Sequence, residues 1–165
     1  MICSDAGHPA GIDKWLSLIK IIIMLFKRKA SDFMTSNVIV GGKENNFKQF
    51  VDFFTNYKIQ HLPIVDNNKL IGILSVNDML KFVAAICKDG KSMSIDDLNK
   101  AFKIEKVMTP NPVTVKPDDS QRKVLEILGE GKFQAVPVVD DNQVIGIITN
   151  KDIARVYQYD LTHVI

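Results

Sequence analysis

The phrase LPIVDNNKLIGILSVND, from Leu62 to Asp78, returns as VPVVDDNQVIGIITNKD from Val136 to Asp152. The spacing does not drift: Pro63 and Pro137 stand 74 residues apart (137 − 63), as do Gly72 and Gly146, and Asp78 and Asp152. Upstream, Met34-Thr35 and Met108-Thr109 keep the same interval. An echo this long without an insertion marks a duplicated structural unit, because each copy must fold the same way around its own apolar positions.

Size and composition then bound what two such copies can form. A chain of 165 residues suffices for one domain, or for two small units sharing one core. With 21 basic against 19 acidic residues there is no strong field, so nucleic acid is not expected as the primary partner. Apolar residues at 46% suit a globular protein rather than long disorder. The two cysteines, Cys3 and Cys87, are too few and too far apart for a disulfide framework. A reducing compartment, the cytoplasm, is the expected location.

The segment WLSLIKIIIMLFKRK (Trp15 to Lys29) is the most apolar of the chain, and Lys20 interrupts it. A crossing helix needs about 20 apolar residues, so this run is too short to span a bilayer. A signal peptide would carry its basic cluster first, and here the basic cluster follows. The expectation is an N-terminal helix over part of residues 1–30, buried against the module or a partner subunit. A surface-lying membrane helix ending at Lys27-Arg28-Lys29 is the disfavoured alternative.

Local signals build the repeated unit twice. Val38-Ile39-Val40 and Val113-Thr114-Val115 read as short first strands. Phe47, Phe50, Val51 and Phe54 recur at helical spacing, as do Val124, Leu125 and Leu128, with Ser120 as a cap. Asp66-Asn67-Asn68 and Asp140-Asp141-Asn142 each separate two apolar runs, and these residues tolerate the positive φ of a tight hairpin turn. A final helix follows from Val76 and from Asn150. Each copy therefore reads β-α-β-β-α. Between them, Gly90 is a plausible helix stop and Ser94 caps a short connecting helix with Leu98, Ala101 and Phe102 on its apolar side. The expected organisation is an N-terminal extension (1–30), a first motif (31–86), a helical connector (87–105) and a second motif (106–165), with 31–165 as one domain.

Two pairs stand where a strand hands over to a helix: Ser75 with Asp78, and Thr149 with Asp152. Ser and Thr are strong helix caps, and an acid three residues later suits the positive end of the helix dipole. Capping alone accounts for both pairs. The same geometry also serves a ligand, since free N–H groups at a helix start meet phosphate and a carboxylate accepts bonds from two ribose hydroxyls. Lys151 stands beside its helix start, placed to meet a phosphate, and reads equally well as a solvated surface lysine. Gly72 and Gly146 inside strands admit a close neighbour, either a ligand or packed protein.

These phrases resemble those of a CBS domain pair, also called a Bateman module. The resemblance rests on Met-Thr before a strand, on His61-Leu62-Pro63-Ile64-Val65-Asp66 and Ala135-Val136-Pro137-Val138-Val139-Asp140 before the hairpin turns, and on Gly72 to Asp78 and Gly146 to Asp152. It covers about Asp32 to Tyr157. It implies an α+β fold in which two pseudo-twofold-related β-α-β-β-α motifs pack sheet to sheet, here with the extra N-terminal helix. It also implies two clefts between the copies that receive adenosine-containing ligands such as AMP, ADP, ATP or S-adenosylmethionine. By resemblance, Asp78 and Asp152 would hold ribose, Ser75 and Thr149 would face phosphate, and Ile39 and Val113 would border the base together with Leu62-Pro63 and Val136-Pro137. A homodimer of disc-like shape is implied as well. The second copy is the closer match: the first has Gly41-Gly42 where the second has Val115-Lys116, lacks prolines matching Pro110 and Pro112, and offers no cation matching Lys151. A cleft built on Asp152 therefore ranks above one built on Asp78.

Catalytic alternatives are thin. His8, His61 and His163 are scattered, the cysteines add no zinc-ligand spacing, and no Gly-rich phosphate loop ends in Lys-Ser or Lys-Thr. A symmetric pair of Asp residues suits duplicated binding better than one asymmetric reaction. The expectation is a stand-alone regulatory module, not an enzyme, that requires no cofactor or metal and takes an adenosine nucleotide as regulatory ligand. A separate regulated protein would receive the signal, and membrane contact is not expected. The alternative is a ligand-free homodimeric interaction module.

Overall fold

Asparagine and aspartate at positive φ close two hairpins and so fix where four strands begin and end: φ is 48° and 64° at Asn67 and Asn68, and 43° and 65° at Asp141 and Asn142. The computed structural model describes residues 15, 16, 19, 27–87 and 92–163. Along the chain come a 3-10 turn (Ala30–Asp32), β1 (Gly41–Gly42), α1 (Phe47–Tyr57), β2 (His61–Asp66), β3 (Lys69–Ser75), α2 (Val76–Ile86), α3 (Ile95–Ala101) and α4 (Ile104–Val107). There follow β4 (Thr109–Pro110), α5 (Gln121–Gly129), β5 (Ala135–Asp140), β6 (Gln143–Thr149) and α6 (Asn150–His163).

The helices start where their capping chemistry says they should. Asn46 and Gln49 form a reciprocal capping box on α1, Ser75 and Asp78 on α2, and Ser94 and Asp97 on α3. Ser120 accepts from the Lys123 amide at the start of α5. The expected helix stop at Gly90 lies outside the described residues.

The first strands differ from expectation. Residues 38–40 carry no ladder, and pairing begins one step later, with Gly41 opposite Ile64 and Gly42 opposite Val65, parallel to β2. In the second copy the strand shrinks to one parallel bridge from Val115 to Val138. Pro117 stands where Lys43 donates its amide to Val65 in the first copy, and it has no N–H to donate, which keeps the ladder from extending. Gly41 and Val115 are equivalent positions with different contents. A Cβ on Gly41 would stand 2.6 Å from the Phe50 ring and 3.0 Å from Ile64 and Leu62. Val115 shares its core with the residue equivalent to Phe50, which is the smaller Val124. Small with large, and medium with medium, fill the same space twice.

Each copy lends its opening segment to the other. β4, from the start of the second copy, pairs with β3 of the first (Gly72 with Pro110, Ile73 with Thr109), giving the sheet order β1-β2-β3-β4. Reciprocally, Thr35 bridges Ile147 of β6 through bonds of 2.9 and 3.1 Å. β3 also packs against β6, which brings the two sheets together. One core holds Phe47, Phe50, Phe54, Leu62, Ile64, Leu74 and Met79 with Phe102 and Ile104 from the connector. Phe102 docks edge-on to Phe82, with ring centroids 5.1 Å apart, so the connector is anchored by aromatic packing. The other core is mostly aliphatic and takes Ala30 and Phe33 from the opening segment of the first copy.

Arg28 ties that borrowed segment down by gripping Asp160 of α6 with two bonds of 2.7 and 2.5 Å. Trp15, Leu16 and Ile19 are helical and exposed, so among the described residues nothing buries them against the module. The rest of the expected N-terminal helix, up to residue 26, lies outside the described residues. No helix among the described residues is long and apolar enough to cross a membrane.

Candidate functional site

Asp152 is the one carboxylate of the two repeats that the fold buries deeply, at 4% exposed. It stands in the first turn of α6 because β6 ends at Thr149 and the helix starts at once. Its Oδ2 accepts from the Thr149 amide at 2.8 Å and from the Thr149 hydroxyl at 2.6 Å. Its Oδ1 accepts from the Thr35 hydroxyl at 3.0 Å and faces the Arg155 guanidinium at 3.4 Å. Thr35 belongs to the first copy, and its backbone bonds to Ile147 hold it there. The carboxylate is thus a junction between the repeats.

Beside it opens a cleft of about 450 Å³, lined by Thr35, by residues 57–61 from the end of α1 to the start of β2, by Gln134 and Ile147, and by residues 149–152 with Arg155. Both copies build its walls. α1 ends with Lys58 in the left-handed region at φ 53°, which turns the chain from the helix into β2 along the cleft. Burial pushes the His61 imidazole below its ordinary value, against the opposing pull of the Asp78 charge. At the pH where most proteins work it is therefore neutral.

The equivalent position in the first copy is different. Asp78 accepts from the Ser75 amide at 2.9 Å and from the Ser75 hydroxyl, while its own amide donates back to that hydroxyl at 3.2 Å. The carboxylate thus caps its own helix. Lys81 stands 3.9 Å away. Thr109, the counterpart of Thr35, is exposed and makes no bond to Asp78 among the described residues. Asp78 instead borders a hollow of about 370 Å³ between α2 and the connector, with Lys81, Lys103 and Lys106 at its rim.

Of the residues singled out by sequence, the structure gathers Thr149, Lys151 and Asp152 on one cleft. Ser75 and Asp78 lie together at the start of α2, and neither lines the cleft. Leu62, Pro63, Val136 and Pro137 are fully buried and none lines the cleft. Ile39 packs half-buried on the first core, and Val113 is 40% exposed away from the cleft. Sequence reasoning passed over Thr35, Tyr57, Lys58, Gln60, His61, Gln134 and Arg155 as parts of this cleft. Two of them left a signal: Thr35 stands in the repeated Met-Thr phrase, and Arg155 follows Asp152 by three residues on one helix face. The described residues contain no cluster of three His, Cys, Asp or Glu that could hold a metal ion.

The glycines have a protein reason. A Cβ on Gly72 would overlap the Met108 sulfur, and one on Gly146 the Met34 sulfur. In each case the methionine comes from the other copy's Met-Thr phrase.

The family model described as "CBS domain" matches residues 30–85 and 104–159. Inosine-5'-monophosphate dehydrogenase of Methanocaldococcus jannaschii is 31% identical over 134 residues, covering 80% of this chain and 24% of the dehydrogenase. The chain spans less than half the length of such curated relatives, 43% in the case of another M. jannaschii protein that is 35% identical. Among solved structures, the CBS domain pair of protein MJ0100, in complex with 5'-methylthioadenosine and S-adenosyl-L-methionine, is similar at 28% identity and a TM-score of 0.67, covering 80% of this chain and 97% of that one. CBSX2 of Arabidopsis thaliana, in complex with AMP, is similar at 26% identity and a TM-score of 0.65, covering 79% and 96%. Two family matches placed 74 residues apart (104 − 30), each on one hairpin and its flanking helices, identify the chain as a member of the CBS domain family carrying a tandem pair.

Proposed function

We propose that this chain is a regulatory module that senses an adenosine-containing ligand in the cleft at Asp152. One observation carries the proposal: a deeply buried carboxylate sits in the first turn of α6, on a cleft to which both repeats contribute walls. A carboxylate so placed can accept bonds from two neighbouring ribose hydroxyls, while the free N–H groups of the helix start favour an anion. The ligands held by MJ0100 and CBSX2, all adenosine compounds, support the same reading. Thr149 and Lys151 would face the end of the ligand opposite its base, and Tyr57, which also lines the cleft, would supply a ring for a purine. No catalytic step is assigned to the chain. A ligand that touches both repeats favours one relative arrangement of them, and that difference is the signal passed on within a homodimer and to a regulated protein.

Calorimetric titration with AMP, ADP, ATP and S-adenosylmethionine tests the proposal. Saturable binding that Asp152→Asn weakens by at least about tenfold is expected, since a charge-assisted bond to ribose is lost. Folded protein that gives neither heat nor a thermal shift with any of the four refutes it. The competing reading, a ligand-free interaction module, draws on the bonds that Asp152 already accepts from Thr149 and Thr35. On that reading Asp152→Asn alters stability alone.

A further inference from the structure

We infer that the Asp152 cleft selects a phosphorylated adenosine ligand over a sulfonium or uncharged one, and that Lys58 and Lys151 make the selection. The inference rests on the adenosine reading of the cleft and adds the charge class of its ligand.

Four groups charged at neutral pH line the cleft: Lys58, Lys151, Arg155 and Asp152. Arg155 lies within 3.4 Å of Asp152, so these two largely answer each other. His61 is neutral, because burial lowers its affinity for a proton. That leaves Lys58 and Lys151, and among the described residues neither has an ion-pair partner. The cleft lining therefore carries two lysines outside any ion pair among the described residues, with Asp78 acting on its wall only through His61. They come from different copies: Lys58 from the left-handed end of α1, Lys151 from the start of α6. The positive end of the α6 dipole adds to the same field.

Such a field separates the two ligand classes that similar proteins hold. A phosphate brings at least one negative charge and several strong acceptors, and the two lysines, one from each copy, both line the cleft that would receive it. A sulfonium brings a positive charge into a positive cleft and is repelled. An uncharged thioether gains nothing from either lysine. A phosphate bridging the two lysines would also draw the two repeats together, which is the differential contact a sensor needs.

The test is calorimetry with AMP, ADP, adenosine, 5'-methylthioadenosine and S-adenosylmethionine on the wild-type chain, Lys58→Gln, Lys151→Gln, the double variant, and Asp152→Asn. The expected result is that AMP and ADP bind at least about tenfold tighter than adenosine, that each lysine removed weakens AMP about tenfold, and that adenosine is unaffected. Lys58→Arg and Lys151→Arg should retain AMP binding, and higher salt should weaken AMP but not adenosine. Melting curves of the lysine variants should match wild type, since both side chains are exposed. Adenosine, methylthioadenosine or S-adenosylmethionine binding as tightly as AMP, with Asp152→Asn abolishing it, would overturn the charge selection and leave the adenosine site standing. An unchanged AMP affinity in the double lysine variant would overturn it as well. No binding of any adenosine compound removes the site itself, and the selection with it.

Discussion

The Met108 sulfur occupies the space in which a Cβ on Gly72 would stand. The glycine is in a strand of the first copy and the methionine leads the second, so this contact joins the halves. Met34 on Gly146 repeats it with the roles exchanged. Gly72→Ala should cost about 1–3 kcal/mol of stability by overpacking, and Met108→Ala about 2–3 kcal/mol by leaving a gap. Because the added methyl fills part of the gap, the double variant should be less destabilised than the two singles added together. Urea denaturation of the four proteins measures this, and strict additivity would count against the contact.

Gly41 and Phe50 fill the space that Val115 and Val124 fill in the second copy. Gly41→Val should therefore destabilise the chain by about 1–3 kcal/mol or more, since the Phe50 ring cannot retreat into a full core. Transplanting the second copy's solution, Gly41→Val with Phe50→Val, should show a favourable coupling of about 1 kcal/mol or more in a double-mutant cycle. A coupling near zero would mean that the copies are not packed equivalently at this point.

Arg28 and Asp160 clamp the borrowed N-terminal segment onto the last helix. The two-pronged bond is shielded, with side chains 19% and 13% exposed, and the Asp160 hydrogen bond raises the affinity of the guanidinium for its proton. Arg28→Ala or Asp160→Asn should cost about 1–2 kcal/mol, between an exposed and a buried pair. Hydrogen exchange should report the loss first at the amides of Ala30 and Ser31, which donate to Asp119 and Pro117 across the same junction.

His61 gives the fold a pH dependence of defined sign. Burial lowers the imidazole below its ordinary value, near 6.5, so the unfolded chain takes up this proton before the folded one. Its contribution to stability is complete above about pH 6.5 and is lost as pH falls from there towards the lowered folded-state value. Denaturant midpoints at pH 7.5, 6.5 and 5.5 should decline with acidity more steeply in the wild type than in His61→Gln. Equal slopes would show that the imidazole titrates freely in the fold.

Much of this molecule is written in stretches of ten residues or fewer. The turns at Asn67-Asn68 and Asp141-Asn142, the caps Ser75, Ser94 and Ser120, and the helical spacing of Phe47, Phe50 and Phe54 are local, because a backbone that needs positive φ or a capped amide selects its residue types on the spot. The strand placed at Val38–Val40 was misplaced for the converse reason. Those residues have strand-forming side chains, but the ladder begins where Gly41 lets the backbone close on β2 beneath Phe50, and that depends on a packing partner from another element.

Within the candidate site the division falls in the same place. The Asp152 pair with Thr149 is a neighbourly contact across three residues, and the repeated phrase alone points to it. The Thr35 bond to Asp152 spans 117 residues, and the wall formed by Tyr57 to His61 comes from the other copy. A one-dimensional chain shows that there are two like units, which residues turn and cap them, and where a carboxylate meets a helix start. It carries no mark of which unit receives each opening segment, nor that Asp152 is sealed at a junction while Asp78 merely caps its helix. Those outcomes are set by long-range packing, where small differences in side-chain volume between two nearly identical copies decide which surfaces fit.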